Sequence, residues 1–140
     1  MGKGKGAELA VVVPTFEERE NIEALYRRLC DVLSGVDWEL VVVDDDSPDG
    51  TYLQARQMAR RYANVRVVHR VYRRGLSSAC IEGMLATASP YVAVMDADLQ
   101  HDERLLPEML RTLRAEDLDL VVGSRHVAGG SLGTWSEDRQ

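Results

Sequence analysis

Apolar residues along the chain alternate between two patterns. Short runs at residues 9–13, 38–43, 65–68, 91–95 and 118–122, several of them rich in valine, have the length of strands and are too short for helices. The first two are apolar almost throughout, which suits strands buried on both faces of a parallel sheet. Between the runs the period changes to three and four. From Glu17 onward Ile22, Leu25, Leu29 and Val32 mark one helix face, with acids in its first turn, Arg27 and Arg28 later, and Ser34-Gly35 as its stop. A second helix is predicted over 51–62, with Leu53, Met58, Ala59 and Tyr62 on its buried side. A third, over 77–88, has Cys80, Ile81, Met84 and Leu85 as its apolar side, while Ala79, Gly83 and Ala86 permit close approach to a sheet. A fourth, over 104–113, is built on Leu105, Leu106, Met109, Leu110 and Leu113, with Pro107 in its first turn, where a missing N–H does little harm. Pro14 is expected to end the first strand.

Strands that alternate with crossover helices predict an α/β domain with a mostly parallel sheet. Residues 9–125 form that domain, residues 1–8 a flexible basic and glycine-rich arm, and residues 126–140 a glycine-rich loop without periodicity, leading toward a region beyond this chain. A chain of 140 residues, 45% of them hydrophobic, is long enough to bury one core. Its net charge of −6 argues against a nucleic-acid partner, which needs a basic face. Cys30 and Cys80 lie far apart within helical patterns and read as buried thiols in a reducing compartment. The apolar run after the arm is cut by Pro14 before it reaches the length of a signal core, and no stretch approaches the roughly 20 apolar residues of a spanning helix.

Charge becomes informative at the strand ends. Ligands of open parallel sheets bind outside the carboxyl ends of the strands, so residues 14–18, 44–46, 96–100 and 123–125 are expected to meet at one rim. Asp96 and Asp98 flank the small Ala97; in extended backbone, residues two apart point the same way, so two carboxylates emerge together. Such a pair repels itself unless a cation joins it, and hard oxygen ligands suit Mg²⁺ or Mn²⁺, with Gln100 able to add a neutral oxygen. An isolated D-x-D is also ordinary turn chemistry. Asp44, Asp45 and Asp46 follow the second strand; Ser47-Pro48-Asp49-Gly50 is a strong turn signal, and the earlier acids are read as facing the site. Arg70, Arg73 and Arg74 make the densest basic cluster, read either as a solvated loop or as guanidinium groups near an anionic substrate. His69, His101 and His126 are scattered and read as surface residues. Neither G-x-G-x-x-G nor a Walker A sequence occurs, which argues against a dinucleotide site or a P-loop. A metal-bridged diphosphate suits many carboxylates better.

Five segments in order, VVVPTFEERENI, VVVDDDSPDGT, RRGLSSACIEG, MDADLQHD and VVGSRHVAGG, resemble the N-terminal half of the family-two glycosyltransferases of GT-A fold, and more narrowly the polyprenol- or dolichol-phosphate mannosyltransferases. The resemblance implies a Rossmann-like α/β/α architecture and inverting transfer of a sugar, typically from GDP-mannose, to a polyprenol phosphate at the cytoplasmic face of a membrane. It places Pro14, Phe16, Glu18, Val43 and Asp45 in the nucleotide pocket, Asp96, Ala97 and Asp98 at the diphosphate sugar, and Asp96, Asp98 and Gln100 at the metal. Arg125 would reach the diphosphate or the lipid phosphate, and with Asp98 is the expected catalytic position. The family often has Tyr where Phe16 stands, Asn at Glu17 and Gly at Asp46; the first change loses a hydroxyl and the last adds charge beside the pocket. A phosphate acceptor is already ionised at neutral pH, so no general base is nominated. Two other readings stand beside this one: a non-catalytic nucleotide-sugar-binding domain, and a receiver-type phosphoacceptor domain, which would carry acids after its first and third strands, not its second and fourth.

Overall fold

The computed structural model describes residues 7–71, 75–99, 102–117 and 119. In chain order it contains β1 (Leu9–Thr15), α1 (Ile22–Val32), β2 (Trp38–Asp44), α2 (Thr51–Arg61), β3 (Val65–His69), α3 (Leu76–Leu85), β4 (Tyr91–Val94), a 3₁₀ turn (Glu103–Leu105) and α4 (Leu106–Ala115). The four strands are all parallel, in the order β3-β2-β1-β4. Every strand therefore ends at the same rim. Of the strand expected over 118–122 only residue 119 is described, and the loop 126–140, Arg73, Arg74, His101 and His126 lie outside the described residues.

Two apolar layers sandwich the sheet. Leu9, Val11 and Val13 of β1, with Leu40 and Val42 of β2, pack against Ile22, Leu25 and Leu29 of α1, Ala55 and Met58 of α2, and Leu106 and Leu110 of the α4 side. The alternate residues, Ala10, Val12, Val41 and Val43, face α3. The two-residue period of the strands thus feeds both layers, as their continuous valine runs require. At the end of the sheet away from the rim, Tyr26 stacks on Tyr62 with ring centroids 4.3 Å apart and donates to Asn64 at 2.8 Å. Burial, with Cys30 close by, pushes the Tyr26 phenol up to about 12, so it remains a neutral donor.

Pro14 does not stop β1, which continues to Thr15. Odd residues of β1 bond toward β2, as the Leu9 N–H does to Asp37, whereas Val12 accepts from Met95 on the β4 side. Pro14 shares the phase of Val12, and pairing with β4 has already ended at Val12↔Val94. Its missing N–H costs no ladder bond. Helix α1 begins at Ile22, later than Glu17. The Glu17 N–H goes to Ser47 Oγ at 2.8 Å and the Glu18 N–H to Thr51 Oγ1 at 3.1 Å, so these residues tie two loops together before the helix starts.

Helix α3 corrects the expected facing. Ala79 and Gly83 are its buried residues, while Leu76, Ile81, Met84 and Leu85 are exposed, Leu85 by 80%. A Cβ at Gly83 would run into Cγ1 of Val12 and lie 3.0 Å from Cγ2 of Val43. Close approach to the sheet selected the small face, and the larger residues point outward. Leu53 of α2 is likewise exposed, the helix burying Thr51, Ala55 and Met58 instead. Cys30 is exposed and Cys80 half-buried, so neither is the fully buried thiol expected from the pattern.

Gly83→Val is expected to lower the unfolding free energy by about 3 kcal/mol through overpacking against β1 and β2. Leu85→Ser, on the outward face of the same helix, should change it by no more than about 0.5 kcal/mol. Urea midpoints of the two variants check the facing; equal costs would contradict it.

Candidate functional site

The rim begins where β1 and β2 end side by side. The Asp45 N–H donates to the Thr15 carbonyl at 3.1 Å, and Thr15 Oγ1 donates to Asp44 Oδ1 at 2.9 Å. Ser47 supplies its hydroxyl to the same oxygen at 2.6 Å and its N–H to Asp44 Oδ2 at 3.0 Å. Asp44 is thus fully buried, with both oxygens engaged in joining β1, β2 and the turn after β2. It does not face the site, contrary to the reading of the three acids as a group.

The turn fixes the other loop in place. Asp49 accepts from the Thr51 N–H at 3.0 Å, from the Thr51 hydroxyl, and from the Arg19 N–H at 3.4 Å. Burial alone would raise the Asp49 carboxyl, but these hydrogen bonds outweigh it and hold the group below the usual carboxylate range. Glu17 has φ 58° and Gly50 φ 87°, so both loops bend through left-handed backbone. Between them Phe16 is 44% exposed at the rim, flanked by half-buried Pro14 and Glu18, with Val43 buried beneath.

Asp45 and Asp46 diverge. The Asp45 carboxylate accepts from the Gly75 N–H at 2.9 Å through Oδ2 and lies 3.2 Å from Arg70 Nε through Oδ1. Arg70 is only 4% exposed and donates from Nη2 to Ser78 Oγ at 2.7 Å. Asp46, at φ 56°, turns the other way and meets His69 Nε2 at 2.9 Å, while Tyr52 stacks on the His69 ring with centroids 3.8 Å apart. Arg70 is neither of the two things the sequence offers for its cluster, a solvated loop residue or an open anion contact, since it is buried directly after β3; His69, expected at the surface, is half-buried against Asp46 and Tyr52.

β4 delivers the remaining acids beside β1. Met95 and Ala97 are 4% and 1% exposed and pack into the α1–α2 layer. Asp96 and Asp98, of opposite phase, are half-buried, and Leu99 follows at φ 63°. Burial alternates as the D-A-D spacing predicts, but β4 ends at Val94 and Asp98 already lies in a bend, so the extended backbone expected through the two acids stops short of the second. Burial and then the Asp96 charge push the Cys80 thiol up. Two carboxylates separated by a small, inward Ala97 fit a hard divalent cation that takes its other oxygens from a ligand. Among the described residues no three His, Cys, Asp or Glu side chains gather as a metal group by themselves. Gln100 and Arg125, the other expected site residues, lie outside the described residues.

The sequence profile described as glycosyl transferase family 2 matches residues 10–140. Dolichol-phosphate mannosyltransferase of Pyrococcus furiosus is 41% identical over 128 residues, covering 91% of this chain and 36% of the relative. The enzyme of the same name from Saccharomyces cerevisiae is 36% identical over 125 residues, covering 87% of this chain and 46% of the relative. Among solved structures, a mannosyltransferase of Pyrobaculum calidifontis in complex with GDP-Man and Mn²⁺ superposes with a TM-score of 0.64 at 26% identity, over 77% of this chain and 32% of that one. Glucosyl-3-phosphoglycerate synthase of Mycobacterium tuberculosis, in complex with Mn²⁺, UDP and glucosyl-3-phosphoglycerate, gives 0.60 at 25% identity, over 77% and 40%. The chain spans less than half the length of each.

Two measurements check the rim geometry. Asp49→Ala should cost about 1 kcal/mol of stability at neutral pH by removing the acceptor of the Thr51 and Arg19 N–H groups. Because the folded carboxyl lies below its unfolded value, this contribution is present above about pH 4 and disappears as the pH falls through the folded value, so parent and variant should converge in acid. Separately, Asp96→Asn should speed alkylation of Cys80 at mildly alkaline pH, read by peptide mass mapping, because a like charge beside the thiolate is gone. An unchanged rate would remove Asp96 from the neighbourhood of α3.

Proposed function

Because the chain belongs to glycosyl transferase family 2, we propose that it forms the nucleotide-sugar-binding part of an inverting glycosyltransferase that moves mannose from GDP-mannose to a polyprenol or dolichol phosphate. The observation that supports this reading is that Asp96, Ala97 and Asp98 follow β4, the strand parallel to β1, so that they leave the sheet at the same rim as the residues after β1 and β2, with the two acids half-buried and the alanine buried. The relatives' names support mannose and a dolichol phosphate as substrates. The GDP-Man complex of the Pyrobaculum enzyme supports the donor.

In this reading the nucleotide lies over the ends of β1 and β2. Phe16 offers the base an exposed aromatic surface, Pro14, Glu18 and Val43 wall the pocket, and Asp45 supplies a fixed carboxylate. Asp96 and Asp98, with Gln100, would hold Mg²⁺ or Mn²⁺, which when bound neutralises diphosphate charge and eases departure of the nucleoside diphosphate. Asp98 also orients the sugar, and Arg125 draws the acceptor phosphate to the anomeric carbon. That phosphate attacks already ionised, so alignment replaces a general base. A polyprenol acceptor implies work at the cytoplasmic face of a membrane. Among the described residues no helix is long and apolar enough to cross one.

Calorimetric titration with GDP-mannose, UDP-glucose and UDP-N-acetylglucosamine, with and without Mn²⁺, tests the proposal. GDP-mannose is expected to bind in a Mn²⁺-dependent manner, and Asp98→Ala to weaken it at least about tenfold, the loss that follows removal of a charged ligand group. Mn²⁺-independent binding that ignores the substitution would overturn the metal site. Binding of a uridine donor alone would overturn the choice of nucleotide.

A further inference from the structure

Arg70 is out of place for a residue of a basic loop. Its side chain is 2% exposed, and Asp45 faces it with a side chain 11% exposed. The Arg70 N–H donates to the Asp44 carbonyl at 2.9 Å, which extends the β3 register past His69. From there the guanidinium enters the space between the end of β2 and the first turns of α3. Nη2 donates to Ser78 Oγ at 2.7 Å; Nε lies 3.2 Å from Asp45 Oδ1 and 3.8 Å from Glu82 Oε2. The approach to Asp45 is close enough for charge pairing yet out of line for a hydrogen bond. Among the described residues Asp45 Oδ1 and Arg70 Nε and Nη1 have no hydrogen-bond partner.

Such a cluster is an expensive way to fill a core. A buried ion pair with unsatisfied donors is commonly no more stabilising than apolar residues of similar volume, and an unpartnered buried polar group calls for an explanation. Exposure excludes one explanation, direct contact between Arg70 and a ligand. What the guanidinium touches is Asp45, whose backbone is held by Thr15 and whose Oδ2 is held by the Gly75 N–H. Remove Arg70, and Asp45 loses the guanidinium 3.2 Å from its Oδ1.

We infer that Arg70 is a positioning residue of the donor pocket. Its guanidinium fixes the orientation of the Asp45 carboxylate and ties it to the first turns of α3, so donor affinity depends on a side chain that never meets the donor. The inference rests on the proposal that Asp45 lines that pocket. It also assigns α3 a part in the site: through Ser78 and Gly75 the helix holds the far side of the same carboxylate.

The test is a double-mutant cycle on the whole chain, with GDP-mannose and UDP-glucose as calorimetric probes. Arg70→Met is expected to weaken donor binding about tenfold, and the loss should vanish when Asp45→Asn is already present. Losses that multiply would show that Arg70 supports the fold generally and would overturn the inference. In the absence of donor, the Gly75 amide should exchange faster in Arg70→Met, because its acceptor is no longer held; unchanged exchange would also count against it. Should Arg70→Met not fold, Arg70→Lys carries the same cycle: it keeps the charge, cannot span both Asp45 and Ser78, and is expected to lose affinity severalfold, again only while Asp45 is intact. Failure of the unmodified chain to bind either donor would instead sink the donor-pocket reading itself, and this inference with it.

Discussion

A carboxylate with no exposure holds the rim together. Asp44 accepts from Thr15 and twice from Ser47, and so joins the last residue of one central strand to the turn that follows the other. A buried carboxylate is tolerable only when such donors replace its water. Because Asp44 is satisfied in this way, the next two residues leave the strand end in opposite directions, Asp45 toward α3 and Asp46 toward His69. The geometry of the β1–β2 side of the rim rests on one set of hydrogen bonds.

The sheet was legible from the sequence because its signal is redundant. Four valine-rich or β-branched runs of strand length, separated by helical periods, leave little choice but parallel strands with crossovers, and the alternation of burial through Met95, Asp96, Ala97 and Asp98 follows the spacing. Helix α3 was half legible: its small residues were recognised as permitting close approach, yet the larger ones were assigned to the core. Apolar character and distance to the sheet pulled in opposite directions there, and a single Cβ at Gly83 shows which prevailed.

The three acids after β2 were the least legible part. As a string they look equivalent, but each meets a partner from a different part of the chain: Thr15 from β1, Gly75 and Arg70 from beyond β3, His69 from the end of β3. Ser47 supplies Asp44 locally, but the partners that separate the three acids from one another come from distant parts of the chain. Pro14 illustrates the same limit in the backbone: its tolerance depends on where β4 stops, which the sequence around it does not contain.

The sheet order has a consequence in time. β1 pairs with β2 across one helix, but its pairing with β4 must close a loop that includes β2, α2, β3 and α3. Loop closure is the costlier the longer the chain between partners, so the central pair can form early and β4 arrives late. Loop closure alone thus favours an order among the described strands in which the Phe16 and Asp45 side of the rim assembles before the Asp96 and Asp98 side. A chain caught before β4 docks would already possess the Phe16 and Asp45 side of the rim while still lacking its pair of acids.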